Sequence, residues 1–334
     1  MSINKPHEHW SSQWLFIMAT VGSSVGLANI WRFPFTTGEN GGGAFVLVYL
    51  GAVFFLALPL VIGELMMGRR GKASPIETMG KLAAEFGASR LWVLLGYSGS
   101  ITCVIILSYY CMIGGETLVY AGKNLMGEFL SIMPERSRQI SATYNGNWLT
   151  VLAGHSLFLG IVMVISAGGV AHGLEKAARY MMPLLFLILL GMVVYAAVTG
   201  DFGETLVYLF APDFSKLTGS VVVEAFGQAF FSVSVGATTL MAYGSYIKRH
   251  ASIPSSSLLI VSADTLVAML AGLAIFPIVF AYGLDAGGGP GLVFETIPLA
   301  FGNMPAGRLF GTLFFILLAF AAITSAISLL EAPV

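Results

Sequence analysis

The sequence predicts an all-α polytopic membrane protein. Of its 334 residues, 57% are hydrophobic and only 10% charged, where soluble globular chains carry about 25% charged residues. Its mean hydropathy is +0.85. Its apolar residues gather into segments of the roughly 20 residues that cross a bilayer. Composition therefore overrides the pair of soluble domains that length alone suggests. It also excludes a disordered chain, a disulfide scaffold and a coiled coil. A formal net charge of −1 gives no pull toward DNA or RNA. The expected surroundings are a lipid bilayer, with no nucleic-acid partner.

Eight segments are expected, at 13–37, 43–68, 90–122, 148–167, 174–199, 221–247, 256–283 and 308–331. The first is no cleavable signal: its flank is Met1–Ser12, and no small-residue cleavage pattern follows. The third holds both cysteines, Cys103 and Cys111. Eight helical residues part them by about 12 Å, beyond the roughly 7 Å limit for a disulfide, so both are expected to be packing residues. At the start of the fifth, Gly173 and Pro183 flank Leu174 to Met182. Proline removes a helix donor and glycine eases unwinding, so this stretch is expected either to kink or to open. Between the seventh and eighth, Gly287-Gly288-Gly289-Pro290 and Pro298 predict an irregular or briefly helical loop.

With the N-terminus inside, ten Lys and Arg, from Lys5 to Arg249, fall in inner loops and five in outer ones. The positive-inside rule then makes the N-terminus cytoplasmic. The expected location is the cell (inner) membrane, crossed many times.

Two segments are interrupted by similar residues. The first reads Gly22-Ser23-Ser24-Val25-Gly26 and the sixth Ser232-Val233-Ser234-Val235-Gly236. Taken alone, Gly22 and Gly26 would mark close helix packing. A matching break five segments later points instead to inverted repeats, whose broken helices line a transporter binding site. The first five-helix repeat spans about 10–200 and a partial second one about 220–334 of a single domain, 1–334. A complete second repeat would run about 90 residues past Val334, so the fold is expected to be truncated after helix 8.

Ionisable groups inside spans are functional hypotheses by default. The candidates are Arg32, Glu64, Glu116, Glu224 and Asp264. Arg32 and Glu116 are expected near outer helix ends, and Glu224 near the outer interface. Glu64 reads as a buried carboxylate accepting freed backbone amides. Asp264 lies deep with no basic residue within one turn, so a cation or a proton is its natural compensation. The adjacent hydroxyls Thr324 and Ser325 suit a hard cation with oxygen ligands. An enzyme reading rests on Gly96-Tyr97-Ser98-Gly99, which matches an intramembrane serine protease motif. A serine nucleophile needs a nearby base, and no histidine lies in an apolar segment after residue 250. No enzyme activity is expected.

The run Asn29-Ile30-Trp31-Arg32-Phe33-Pro34, then Glu39-Asn40-Gly41-Gly42-Gly43-Ala44-Phe45, is highly specific. With the two breaks it resembles the neurotransmitter:sodium symporter (LeuT-type) family, a 5+5 inverted repeat with helices 1 and 6 broken. The resemblance extends from His9-Trp10 to Thr324-Ser325. It implies sodium-coupled symport by alternating access, with two sodium sites. One would use the side chains of Asn29, Ser232 and Asp264, the Ser24 carbonyl and the substrate carboxylate. The second would use the carbonyls of Gly22, Val25 and Ala321 and the hydroxyls of Thr324 and Ser325. The substrate carboxylate would meet the amides of Leu27 and Ala28 and the hydroxyl of Tyr110. Its amino group would meet carbonyls near Ser24, Phe231 and Ser234. Ile106, Ala237, Ser325 and Leu329 would line the side-chain pocket. Phe231 and Arg32 would close the outer side, while Gly173 and Pro183 would gate the inner one by unwinding.

The sequence departs from the family pattern in several places. Ala28 stands where many members have Gly, Asp264 where the best-known have Asn, and Ala237 where others are bulky. The acid partner of Arg32 would lie in a tenth helix, and helices 9–12 or an equivalent segment would have to complete the unit. Gly26 adds no charge where monoamine carriers place Asp, which favours an amino acid. The small Ala237 and apolar neighbours point to a bulky hydrophobic one, with another small zwitterion as the alternative. Asp264 would supply the negative charge that chloride provides in relatives, near Tyr49, Gln228 and Ser232, so chloride is not expected to be required. Either Asp264 takes up a proton when sodium leaves, giving proton antiport, or it is a plain sodium ligand.

Overall fold

The computed structural model describes residues 9–248, 250–284, 286–287, 289 and 291–333. Lys5, His7, Arg249, Gly288 and Pro290, on which sequence expectations drew, lie outside the described residues. Among those residues the chain forms one separate 3-10 turn, Phe214–Lys216, and fourteen helices. They are α1 (Gln13–Ser24), α2 (Ala28–Glu39), α3 (Gly43–Gly71), α4 (Pro75–Glu85), α5 (Arg90–Met126), α6 (Pro134–Gly146) and α7 (Trp148–Ser166). Then follow α8 (Val170–Thr199), α9 (Phe202–Phe210), α10 (Gly219–Ser232), α11 (Thr239–Ser245), α12 (Ile253–Ala281), α13 (Leu292–Gly302) and α14 (Gly307–Glu331).

Six of these are single helices long and apolar enough to span a bilayer: α3, α5, α7, α8, α12 and α14. The pair α1 and α2 makes a seventh span, bent by 49° at its break. The expected sixth segment is present as two short halves, α10 and α11. All eight expected segments therefore appear, with ends moved by a few residues. The loop before α14 does contain a brief helix, α13.

Burial orders the bundle. In α14, 78% of the best apolar window is buried, against 17% in α7. The last span thus runs through the centre beside the two broken ones, and α7 lies at the periphery. Glycines set the closest crossings. A Cβ on Gly115 of α5 would run into the backbone of Gly154 on α7, and one on Gly244 of α11 would sit 2.8 Å from the Leu65 carbonyl of α3.

Three wide π-turns share one cause. In Ala28–Arg32, Val53–Ala57 and Leu292–Thr296 the closing amide comes from Phe33, Leu58 and Ile297. Each of these immediately precedes a proline: Pro34, Pro59 and Pro298. A proline ring clashes with the carbonyl four residues back and donates no bond to it. One extra residue in the turn relieves the clash.

The fourth π-turn, Val170–Leu174, has no such proline and opens α8. Beyond it the helix is wound through Leu174 to Met182 and passes Pro183 without a break. Of the two expectations for this stretch, the structure therefore displays the wound one. Its irregularity is confined to the turn beside Gly173, which packs against the Ile165 carbonyl.

Candidate substrate and ion site

The two Ser-Val-Gly runs fall at the two breaks. Helix α1 ends at Ser24, because Val25 is extended (φ −69°, ψ 100°) and α2 resumes at Ala28. Between α10 and α11 the chain takes left-handed conformations at Ser234 (φ 58°), Gly236 (φ 87°) and Thr238 (φ 60°). Glu64 supports this second break as expected: its Oε1 accepts the Gly236 amide at 2.7 Å. The Cys103 thiol adds a bond to the Ala237 carbonyl at 2.8 Å.

A cavity of about 430 Å³ lies between the breaks. Its walls include Ser24, Ala28, Ile106, Tyr110, Phe231, Ser234, Ala237, Ser325 and Leu329, every expected substrate residue except Leu27. Leu27 borders an adjoining space with Trp31, Arg32, Phe35 and Tyr109. Phe231 and Tyr110 edge both spaces, so they stand at the passage between them. Thr102 and Phe230 also line the main cavity and were missed. Thr102 sits one helical turn before Ile106, a spacing that could have found it.

Gly26 is the tightest point. A Cβ there would lie 2.8 Å from the Tyr110 hydroxyl oxygen and closer still to Ser325 Oγ. The Tyr110 hydroxyl accepts the Leu27 amide at 3.1 Å. The donors expected to meet a carboxylate are thus already gathered at one place.

Deep behind the break lies a closed polar cluster. Asn29 Nδ2 donates to Ser232 Oγ (3.0 Å), Asp264 Oδ1 (2.9 Å) and the Asp264 carbonyl (3.0 Å). Ser232 Oγ donates to Asp264 Oδ2 at 2.6 Å, and the Gly26 amide donates to Asn29 Oδ1 at 3.0 Å. All three side chains are fully buried. The structure therefore unites the three side chains expected at the first sodium site, from three separate spans. The Tyr49 hydroxyl is buried close to Asp264, Ser232 and Thr265, outside strict bonding geometry among the described residues. A buried carboxylate without a cation is costly, and only neutral donors are bonded to this one.

The second set is partly assembled. Ser325 Oγ lies 3.4 Å from the carbonyls of both Gly22 and Val25. Thr324 Oγ1 instead donates to the carbonyls of Phe320 (3.0 Å) and Ala321 (3.1 Å), the common habit of a helical threonine. Its oxygen stays beside the Ala321 carbonyl.

Arg32 finds an acid within the chain. It pairs with Glu224 at 2.7 Å and donates to Gln228 Oε1 at 2.7 Å, with its guanidinium 5.2 Å from the centre of the Phe231 ring. Glu224, expected near the outer interface, was not singled out as a partner of Arg32. Its signal was the Glu224-x-x-x-Gln228 spacing, one turn of α10. The pair is 26% and 40% exposed, so it contributes about 1 kcal/mol or less. That suits a closure that must reopen.

The N-terminal end of the bundle is sealed more firmly. Trp10 is buried, donates from Nε1 to the Tyr243 carbonyl at 3.1 Å, and meets Tyr246 edge-on. The amide and hydroxyl of Ser11 bond the two oxygens of Glu175 at 2.5 and 2.7 Å. Glu175, at the start of α8, was not singled out from sequence. Its partner is 164 residues away, and no local pattern announces it.

A helical bundle with a central cavity at two mid-span helix breaks, closed by residues at both ends, is the architecture of a multi-pass membrane carrier. The chain belongs to the Sodium:neurotransmitter symporter family, whose model matches residues 7–134 and 135–334. It is a sodium-dependent transporter of that family and not an enzyme. It is 36% identical over 331 residues to the uncharacterized sodium-dependent transporter YhdH of Bacillus subtilis (strain 168), covering 99% of this chain and 72% of that one. An uncharacterized sodium-dependent transporter of Haemophilus influenzae is 34% identical, with 98% and 73% covered. Among solved structures, that of MhsT in complex with L-phenylalanine superposes with a TM-score of 0.90 at 39% identity, covering 98% of this chain and 73% of that one.

Proposed function

We propose that this protein is a sodium-coupled symporter of a neutral, bulky hydrophobic amino acid, working by alternating access in the cell inner membrane with its N-terminus cytoplasmic. The observation that carries this reading is the cavity itself. It joins bare backbone and the Tyr110 hydroxyl at one end, fit for an amino acid's charged groups, to Ile106, Phe231, Ala237 and Leu329 at the other. Two sodium ions would occupy the oxygen clusters around Asp264 and Ser325, and chloride would not be required. The L-phenylalanine bound by MhsT supports a large apolar side chain. Sodium-driven uptake into vesicles, competed by a panel of amino acids, tests the proposal. Uptake of glycine or a charged amino acid in preference to leucine or phenylalanine would reject it, as would hydrolytic activity without uptake.

Size selection rests on Ala237. Each methylene that fills an apolar pocket is worth about 0.8 kcal/mol. Ala237→Phe is expected to shift preference toward alanine-sized substrates. Competition assays on the variant check this, and an unchanged rank order would remove Ala237 from the pocket.

Release toward the N-terminal side is proposed to use α8. Gly22 backs onto Met182, the residue before Pro183, with 2.9 Å between a Cβ at Gly22 and the Met182 sulfur. Unwinding between Gly173 and Pro183 would open a water path to the second ion cluster. Pro183→Ala restores a helix donor, so inward release is expected to slow several-fold with binding intact. Equal release rates in wild type and variant would count against this path.

A further inference from the structure

Helix α5 meets the second break at two successive turns. The Cys103 thiol donates to the Ala237 carbonyl at 2.8 Å. One turn earlier, Gly99 leaves room for Thr238: a Cβ there would overlap the Thr238 side chain. Residues 99 and 103 share one face of the helix, and that face docks on the break. Elsewhere on the same helix, Thr102, Ile106 and Tyr110 line the cavity. One helix therefore faces both the cargo and the backbone that shapes its pocket.

The Ala237 carbonyl depends on this thiol. Among the described residues it takes no backbone amide, and Cys103 is its one side-chain donor. Ala237 lines the cavity, whereas Cys103 is fully buried and does not. The carbonyl is thus turned into the protein and away from the cavity.

The thiol also opposes a strain. Thr238 is left-handed, at φ 60°, an outlier for a β-branched residue. Such a conformation persists only where its surroundings hold it. Turning over the peptide between Ala237 and Thr238 rotates the φ of Thr238 by about half a turn, as between turn types I and II, and relieves it. The same rotation swings the Ala237 carbonyl away from Cys103 and toward the cavity. Glu64 holds the Gly236 amide one residue back, which leaves this peptide free to turn.

We propose that Cys103 is a positioning residue for substrate selectivity. Its thiol keeps the Ala237 carbonyl out of the cavity, so the wall meets the cargo with the Ala237 methyl group. Without that donor the peptide turns over, and its oxygen accepts a hydrogen bond from a polar side chain that the wild-type pocket refuses. This rests on the reading that the cargo is a neutral, bulky hydrophobic amino acid.

Binding competition on the purified chain, with leucine and its near-isostere asparagine as probes, tests the proposal. Wild type should prefer leucine. Cys103→Ala removes the donor, so the preference should fall by about 10-fold, the worth of one buried hydrogen-bonding group. Cys103→Ser supplies a hydroxyl donor and should stay within about twofold of wild type. Equal preference in wild type and Cys103→Ala, or as large a fall in Cys103→Ser, would overturn the proposal and leave the functional reading standing. A wild type that prefers asparagine would overturn both. The bond is also read without touching Cys103, in Cys111→Ala, where Cys103 is the single thiol. Its infrared S–H stretch should lie below that of a small thiol in an apolar solvent, and an unshifted band would overturn the proposal even if Cys103→Ala fails to fold.

Discussion

Gly26→Asp is expected to abolish sodium-dependent substrate binding without creating a carrier of amines. The Cβ alone would press on Ser325 Oγ and Tyr110, and such overpacking costs about 1–3 kcal/mol. The added carboxylate would be buried beside the Asp264 cluster with no basic partner, for several kcal/mol more. Together these predict at least about a 100-fold loss of affinity. Gly26→Ala isolates the steric part and should lose about 10-fold. Radioligand binding to detergent-purified protein at saturating sodium checks both. Near wild-type affinity in Gly26→Ala would show that the break relaxes around a methyl group, and the steric argument would fall.

Asp264→Asn is expected to weaken sodium binding by about 30-fold or more, since removing one charge from a buried pair costs about 2–5 kcal/mol. The amide keeps the shape: its oxygen still accepts from Asn29, and its nitrogen donates to Ser232 Oγ in a reversed bond, so the protein should still fold. In the proposed function two cations and a zwitterion would leave the loaded site positive, and Asp264 would supply a fixed negative charge there. Replacing chloride with gluconate should therefore leave wild-type uptake unchanged. In Asp264→Asn, chloride should restore part of the activity, because an anion can then sit near Tyr49, Gln228 and Ser232. An absolute chloride requirement in wild type would sink the charge argument. Sodium titrations of uptake with and without chloride separate the outcomes.

Much of the fold was legible without coordinates because its signals are local. Hydropathy over about 20 residues reports a span. Glycine and proline report where a helix yields, at Gly22 to Gly26 and Ser234 to Gly236. The resemblance carried by residues 29–45 supplied the ligand sets around Asp264 and Ser325 and most of the cavity wall. Proline also marked three π-turns, a regularity that shows only once the closing amides are placed.

Pairings between distant residues were not legible. Asn29 and Asp264 are 235 residues apart, and Ser11 and Glu175 are 164 apart. Arg32 and Glu224 are 192 residues apart. Glu116, expected near an outer helix end, is buried in α5 one turn from Tyr120. The sequence by itself determined the spans, the two breaks, the family and the residue types of the candidate site. Tertiary structure alone decided which carboxyl group meets a donor, as Glu64 and Asp264 do, and which is buried with an oxygen that meets none, as Glu116 is. The physical reason is that solvation and charge depend on what packs within a few ångströms, and in a bundle of crossing helices those neighbours come from anywhere along the chain.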